Sequence, residues 1–501
     1  MADHDPHDPH DPHDRSLDPL DWERYREVSH RVLDELLGFV QTVGERGVWQ
    51  PVPDGVKERL TEGAPRAAQP VEQVWETVRE LILPYPTGNI HPRFFGWVHG
   101  SGTVGGILAE MTAAAMNSNL GGREHGAVYV ERQVIGWFCD VFGFPSGTSG
   151  IILAGTSMAT VVGLAVARHA RAAAQGVDVR RQGVTAVGEG LVTYTSAGAH
   201  VSVRKALELL GLGTDSLHVV PVGADMAMDT SALQRAIAAD REAGRRPFCV
   251  VGTAGSVNTG AMDDLARIAE ICAAEGLWFH VDGAFGALAA LSPRLRPLVV
   301  GIERADSLAF DFHKWLHAPY SAGCLLVRDG GLHRSAFATH QHYLTTHERG
   351  LAGGSPWFTD FGPDLSRGFA ALKVWFTVQE HGLDRLGAAI DRNCRQAAHL
   401  AELVAREPRL ELKAPVALNI VCFRYVGGGH DAEALGPLNQ EIVYELHERG
   451  VAAPSTTRIG GDLVIRVNIT NHRTRDEDLD LLVREVCAIG DRLGATARAR
   501  T

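Results

Sequence analysis

The sequence predicts an α/β protein built on a mostly parallel central sheet with helices on both faces, preceded by a helical arm and followed by a smaller α/β domain. Three observations carry this. Between residues 190 and 327, short apolar runs alternate with helix-period segments, as a sheet buried on both faces requires. Before residue 90 the apolar residues keep helical spacing with no strand between them. After residue 386 strand and helix patterns alternate again on a smaller scale. The expected divisions are a disordered tail over 1–14, a helical arm over 15–90, a large domain over 91–385 and a small one over 386–501.

Residues 3–14 read DHDPHDPHDPHD, a repeat with nothing to bury. Histidine beside carboxylate attracts divalent metal, but nothing fixes the geometry there, so no metal site is expected. In 22–43, Val28, Val32, Leu36, Phe39 and Val43 recur at three- and four-residue steps, which marks an amphipathic helix. A second such helix is expected over 71–83, and the Pro- and Gly-rich stretch 51–70 is read as their connection. Two helices alone cannot close a core, so they need another surface, and a partner subunit is one candidate.

Residues 126–142 are read as a helix, 151–153 as a short buried strand, and 158–171 as a helix with a basic end. Strands then follow at 190–195, 248–253, 277–282, 307–311 and 323–327, with helices at 203–210 and 264–275. From 328 to 360 periodicity is lost, and so long a run is read as a lid or a disordered loop. A helix is expected over 364–381. The last domain has expected strands at 417–426 and 463–469 and helices at 432–449 and 475–493. Thr474 and Glu477 stand at capping-box spacing before the final helix.

Of the 501 residues, 45% are hydrophobic and 22% charged, an ordinary globular balance. A formal charge of -12 disfavours nucleic acid or an anionic membrane as partner. No apolar run is long enough to span a bilayer, and no secretory signal is visible. The seven cysteines are odd in number and scattered, which points to a reducing, cytoplasmic setting.

The segment DSLAFDFHKWLHAPYSAG, 306–323, sets Lys314 among Phe310, Phe312, Trp315 and Leu316, with His313 before it. Such a lysine either lays its stem along apolar surface with its head in water, or serves as an amine with a chemical task such as Schiff-base formation. In 154–157, AGTS, small residues precede a helix, where Thr156 and Ser157 can act as simple caps or help receive an anion. Lys314, Asp282 in LWFHVDGAFG and His200 in LVTYTSAGAH each follow an expected strand. In open α/β sheets functional groups collect there.

An imine-forming lysine, a strand-end carboxylate, an anion-receiving turn and a histidine are the groups pyridoxal phosphate needs. In the order turn, histidine, aspartate, lysine, the chain resembles the fold type I pyridoxal enzymes, and among them the group II amino-acid decarboxylases. HVDGAFG followed by FDFHKWL is the most specific element. The resemblance implies that Lys314 forms the imine, Asp282 faces the pyridine nitrogen, and His200 stacks on the ring with Ala284 on its other side. It also implies that Thr156 and Ser157 hold the phosphate beside His313, and that Tyr343, in a mobile loop, protonates the α-carbon. A homodimer with the site near its interface is implied as well.

The pocket segment reads HPRFFGWVHG, so Phe94, Trp97, Val98 and His99 are the expected substrate contacts, and their departures from the family pattern put the substrate in question. Phe312 stands where relatives often have proline, and Val257 where animal enzymes have threonine. The expected reaction is decarboxylation of an L-amino acid, aromatic by preference, to its amine. An aminotransferase, an oxidase yielding aldehyde and a non-catalytic binding protein are the alternatives.

Overall fold

The computed structural model describes residues 16–339, 347–429 and 431–498, in two compact units. The smaller, within residues 1–45 and 51–87, contains α1 (Trp22–Gln41), α2 (Asp54–Arg59) and α3 (Val71–Leu81). Asp21 caps α1 by accepting from Arg24 N at 3.0 Å, and Trp75 Nε1 of α3 donates to Glu35 of α1 at 2.9 Å. α2 lies within the Pro- and Gly-rich connection expected between the two longer helices. Three helices without a sheet bury little: Val28 is the buried residue of α1, while Leu17, Leu20 and Trp22 stay exposed.

The larger unit, residues 46–50 and 88–501, holds two sheets. Its helices are α4 (Gly105–Met116), α5 (Gly126–Phe142), α6 (Thr156–Ala173), α7 (Val179–Gln182), α8 (Ser202–Leu209), α9 (Thr230–Glu242), α10 (Leu265–Glu275), α11 (Gly330–Phe337), α12 (Ala370–Arg406), α13 (Ala432–Glu448) and α14 (Asp476–Arg498). After the two-residue β1 (Phe94–Phe95), the strands of the large sheet are β2 (Ser149–Leu153), β3 (Leu191–Ser196), β4 (Leu217–Val220), β5 (Arg246–Thr253), β6 (Trp278–Asp282), β7 (Ser307–Asp311) and β8 (Gly323–Val327). They lie in the order β2-β8-β7-β6-β5-β3-β4, parallel except for β8, which runs against both neighbours.

Alternation along β5 shows why both faces are covered. Cys249 and Val251 pack with Val203, Ala206 and Leu207 of α8, whereas Val250 joins the cluster containing Leu233 of α9 and Ile268 of α10. The second sheet adds β9 (Leu410–Leu412), β10 (Ile420–Tyr425), β11 (Ala453–Ile459) and β12 (Asp462–Asn468), in the order β1-β11-β12-β10-β9. α12, α13 and α14 back it through Leu400, Ile442 and Leu482. β1 pairs in parallel with β11, so the segment carrying the expected substrate contacts is hydrogen-bonded to the C-terminal sheet.

Several elements differ from expectation. The edge strand β4 and the alanine-rich α9 lack the apolar contrast that flags an element, as do the short or polar β9 and β11. α11 lies in the stretch read as aperiodic, opened by Asp329 accepting from Leu332 N at 2.9 Å. α12 begins at Ala370, not 364, because Arg367 turns inward to Leu120 O, Ile152 O and Glu131. It continues to Arg406 through a non-helical Gly382. No capping box forms before α14: Thr474 Oγ1 donates to Pro92 O at 2.6 Å, and Asp478 accepts from Arg475 N. No helix among the described residues is long and apolar enough to cross a membrane.

His280 in β6 and His317 are fully buried, and burial pushes both down to about 3 from the ordinary 6.5. A base depressed in the folded state binds protons more readily when unfolded, so this stability is present above pH 6.5 and is lost as pH falls toward 3. Denaturant titrations should lose up to about 1.4 kcal/mol per pH unit for each histidine below its ordinary value. A His317→Asn variant should show a shallower slope.

Candidate active site

Six strands of the large sheet end on one side, and a cavity of about 640 Å³ opens beside the ends of five of them. β2 leads into the turn 154–158, β3 is followed by His200, and β5, β6 and β7 end in Thr253, Asp282 and Asp311. Lys314 lies just past β7 and its side chain is 21% exposed. Of the sequence-predicted residues, Thr156, Ser157, His200, Asp282, Ala284, His313, Lys314, Trp97, Val98 and His99 all line this one cavity. Phe94 does not line it. The Phe94 ring is buried behind His99, stacked at 5.7 Å and 18°. Tyr343 lies outside the described residues.

Asp282 is buried and accepts from Ala284 N at 3.2 Å. Burial pushes its carboxyl above the ordinary value, and Lys314 pulls the other way. His200 is pushed down by burial while Asp282 opposes. Its Nδ1 accepts from Ser202 N at 3.2 Å and lies 2.9 Å from Ser202 Oγ. Lys314 Nζ is 2.9 Å from Asp311 Oδ2, an ion pair that the reading of a lone lysine among apolar residues did not foresee. His313 Nδ1 accepts from Ala322 N at 3.0 Å, and its Nε2 is 3.6 Å from Asp311 Oδ2.

The turn at the start of α6 is more than a cap. Gly155 makes no side-chain cap bond, and the buried Oγ1 of Thr156 has no partner in the structure. Thr253 Oγ1, at the end of β5, is likewise buried and unpartnered. Buried hydroxyls without partners are rare in folded proteins, and both line the cavity.

The opposite wall is aromatic. His99 lies 5.7 Å from the rings of both Phe94 and Trp97 and meets Tyr320 edge-on. Burial and the charges of Lys314 and His313 push His99 down, favouring its neutral form. Gly100 is required here, because a Cβ would collide with the carbonyl of His313. Trp97 has φ 48°, a strained conformation for a bulky residue.

A residue of β12 secures it. The buried Arg466 donates to Trp97 O (3.0 Å), Asn258 O (3.1 Å) and Val257 O, joining two cavity walls. Sequence reasoning missed Arg466, Thr253, Tyr320 and Asp311. A Lys-adjacent carboxylate was the one visible signal, for Asp311; Arg466 had none, since the carbonyls it serves are remote in the chain.

Comparison with known proteins gives the same class. The family model for the pyridoxal-dependent decarboxylase conserved domain matches residues 53–426. An aromatic-L-amino-acid decarboxylase of Bacillus atrophaeus is 30% identical over 94% of this chain and 96% of its own length. A phenylacetaldehyde synthase of Arabidopsis thaliana is 27% identical over 90% and 93%. The crystal structure of Oryza sativa TDC with PLP and tryptamine superposes with a TM-score of 0.87 at 25% identity, covering 95% of this chain and all of that one.

The fold and site thus define a pyridoxal-phosphate-dependent carboxy-lyase of amino acids. The chain belongs to the pyridoxal-dependent decarboxylase family. The cavity fits that cofactor, with an amine at one wall, a carboxylate in the floor and the partnerless Thr156 hydroxyl at a helix N-terminus.

Replacing Arg466 by Met should strand the carbonyls it serves and cost about 2–4 kcal/mol in chemical denaturation. Arg466→Lys should recover less than half, because an ammonium cannot reproduce the guanidinium fork.

Proposed function

We propose that this protein decarboxylates an L-amino acid with an aromatic side chain, releasing the amine and carbon dioxide. The observation that carries the reading is one cavity with Lys314, Asp282 and the free Thr156 hydroxyl at one end and an aromatic wall at the other. Pyridoxal phosphate, when bound, supplies an aldehyde for amines and a ring that withdraws electrons from bonds at an amino acid's α-carbon.

This chain's residues orient and compensate. Lys314 offers the amine that would hold the cofactor through its aldehyde. Asp282, buried with its carboxyl driven up, would favour a protonated ring nitrogen placed opposite it. His200 would stack on one face of the ring and Ala284 would pack on the other. The first turn of α6, with Thr156 and Ser157, would receive the phosphate, with His313 beside it. Tyr343 returns a proton to the α-carbon, a role drawn from the family resemblance.

The substrate end supports a ring. Trp97, His99, Val257 and Tyr320 line it with apolar and aromatic surface, and His99 is held neutral. Among the described residues, the Asp, Glu, Lys and Arg side chains that line the cavity are Asp282, Asp311 and Lys314, all at the strand-end side, while the wall itself carries aromatic and apolar groups. A homodimer fits the outward face of α4, where Val104, Leu108, Met111 and Met116 are exposed. A cytoplasmic setting fits the seven free cysteines.

Lys314→Ala should abolish both the visible absorbance of bound cofactor and carbon dioxide release. Thr156→Val should leave the stability of the cofactor-free protein unchanged or raised, since its hydroxyl bonds to nothing, yet weaken cofactor binding about tenfold. Loss of stability instead would make that hydroxyl structural.

An aldehyde-forming outcome is the second reading, favoured by the relative named as an aldehyde synthase. Carbon dioxide release from each aromatic amino acid, with oxygen uptake followed in parallel, separates the two. Amine without oxygen uptake is expected from the wild type, and aldehyde with uptake from Tyr343→Phe. Unchanged amine output from that variant removes the tyrosine from the mechanism.

A further inference from the structure

Asp311 closes β7 and is almost fully buried, and its two carboxylate oxygens face different tasks. Oδ1 accepts from Thr156 N, at the start of α6, at 2.6 Å, and Oδ2 lies 2.9 Å from Lys314 Nζ. His313 Nε2 approaches the same Oδ2 at 3.6 Å. The enclosure is tight: a Cβ at Gly323 would stand 2.7 Å from Oδ1 and 2.5 Å from Gly155 Cα. β8 therefore begins with a residue that leaves room for the carboxylate and for the turn at once.

An ordinary helix cap comes from the residue just before the helix and serves that helix alone. Gly155 has no side chain to offer, and the acceptor arrives from 155 residues away with its other oxygen already on the lysine. We infer that Asp311 is a positioning residue that sets the spacing between the phosphate-receiving turn and the amine of Lys314. This rests on the roles given above to Thr156 and Lys314. The first turn of α6 has N–H groups without intrahelical acceptors. Asp311 takes that of Thr156, so the phosphate is left the Thr156 hydroxyl and the donors that follow it.

Two substitutions separate the two oxygens. Asp311→Asn keeps an acceptor for Thr156 N but turns an amide donor toward the ammonium, where donor meets donor. Asp311→Ala removes both contacts. Two probes separate the two ends of the site. Pyridoxamine 5'-phosphate carries the phosphate but no aldehyde, and pyridoxal carries the aldehyde but no phosphate. Dissociation constants would be measured by equilibrium dialysis on cofactor-free protein, with melting temperature as a check on folding.

In the Asn variant, pyridoxamine phosphate should bind within about threefold of wild type while pyridoxal weakens about tenfold. In the Ala variant both should weaken about tenfold, through loss of the turn as well as the amine contact. Equal losses for both probes in the Asn variant, or no loss in either, overturn the inference, and the Asn result decides alone should the Ala variant not fold. A wild-type protein that binds neither probe, or a Lys314→Ala variant that binds pyridoxal as wild type does, overturns instead the roles of Lys314 and Thr156.

Discussion

A charge removed from water must find its opposite inside the protein, and around this cavity that requirement fixes the geometry. Lys314 is met by Asp311, and Asp311 by the first amide of α6. Arg466 is met by carbonyls from two loops. Asp282 is the exception, buried with a backbone N–H and with its carboxyl driven up. An acid left partly uncompensated in a cavity favours a cation that arrives from outside.

Parallel topology brings these groups together. Thr156, His200, Asp282 and Lys314 are far apart in the chain, yet each follows a strand whose carboxyl end opens on the same side. Antiparallel β8 passes between β2 and β7 without adding a functional end there. Its first residue, Gly323, instead lets the turn and the carboxylate approach each other.

What the sequence made legible follows from the same physics. Buried parallel strands are written as apolar runs, and strand-end residues as polar interruptions after them, so Asp282, His200 and Lys314 could be read directly. Asp311 is also a strand-end polar residue, but its division between amide and amine depends on spatial neighbours that no local pattern encodes. The same holds for Arg466, which looks like one more charge in VIRVN until its carbonyl partners are seen. Phe94 had the right composition for a pocket residue and the wrong side of His99. The capping spacing at Thr474 was overridden because Pro92 O offered its hydroxyl a closer partner.

The pairing of β1 with β11, and the grip of Arg466 on Trp97, attach the aromatic wall to the C-terminal sheet, whereas Lys314, Asp282 and the turn before α6 belong to the large one. The Phe94–His99 part of the aromatic wall and the polar groups at the strand ends are therefore anchored to different sheets, with Arg466 bridging them. Substitutions in the segment held by the C-terminal sheet can reshape one wall of the cavity while the strand-end groups of the large sheet keep their alignment.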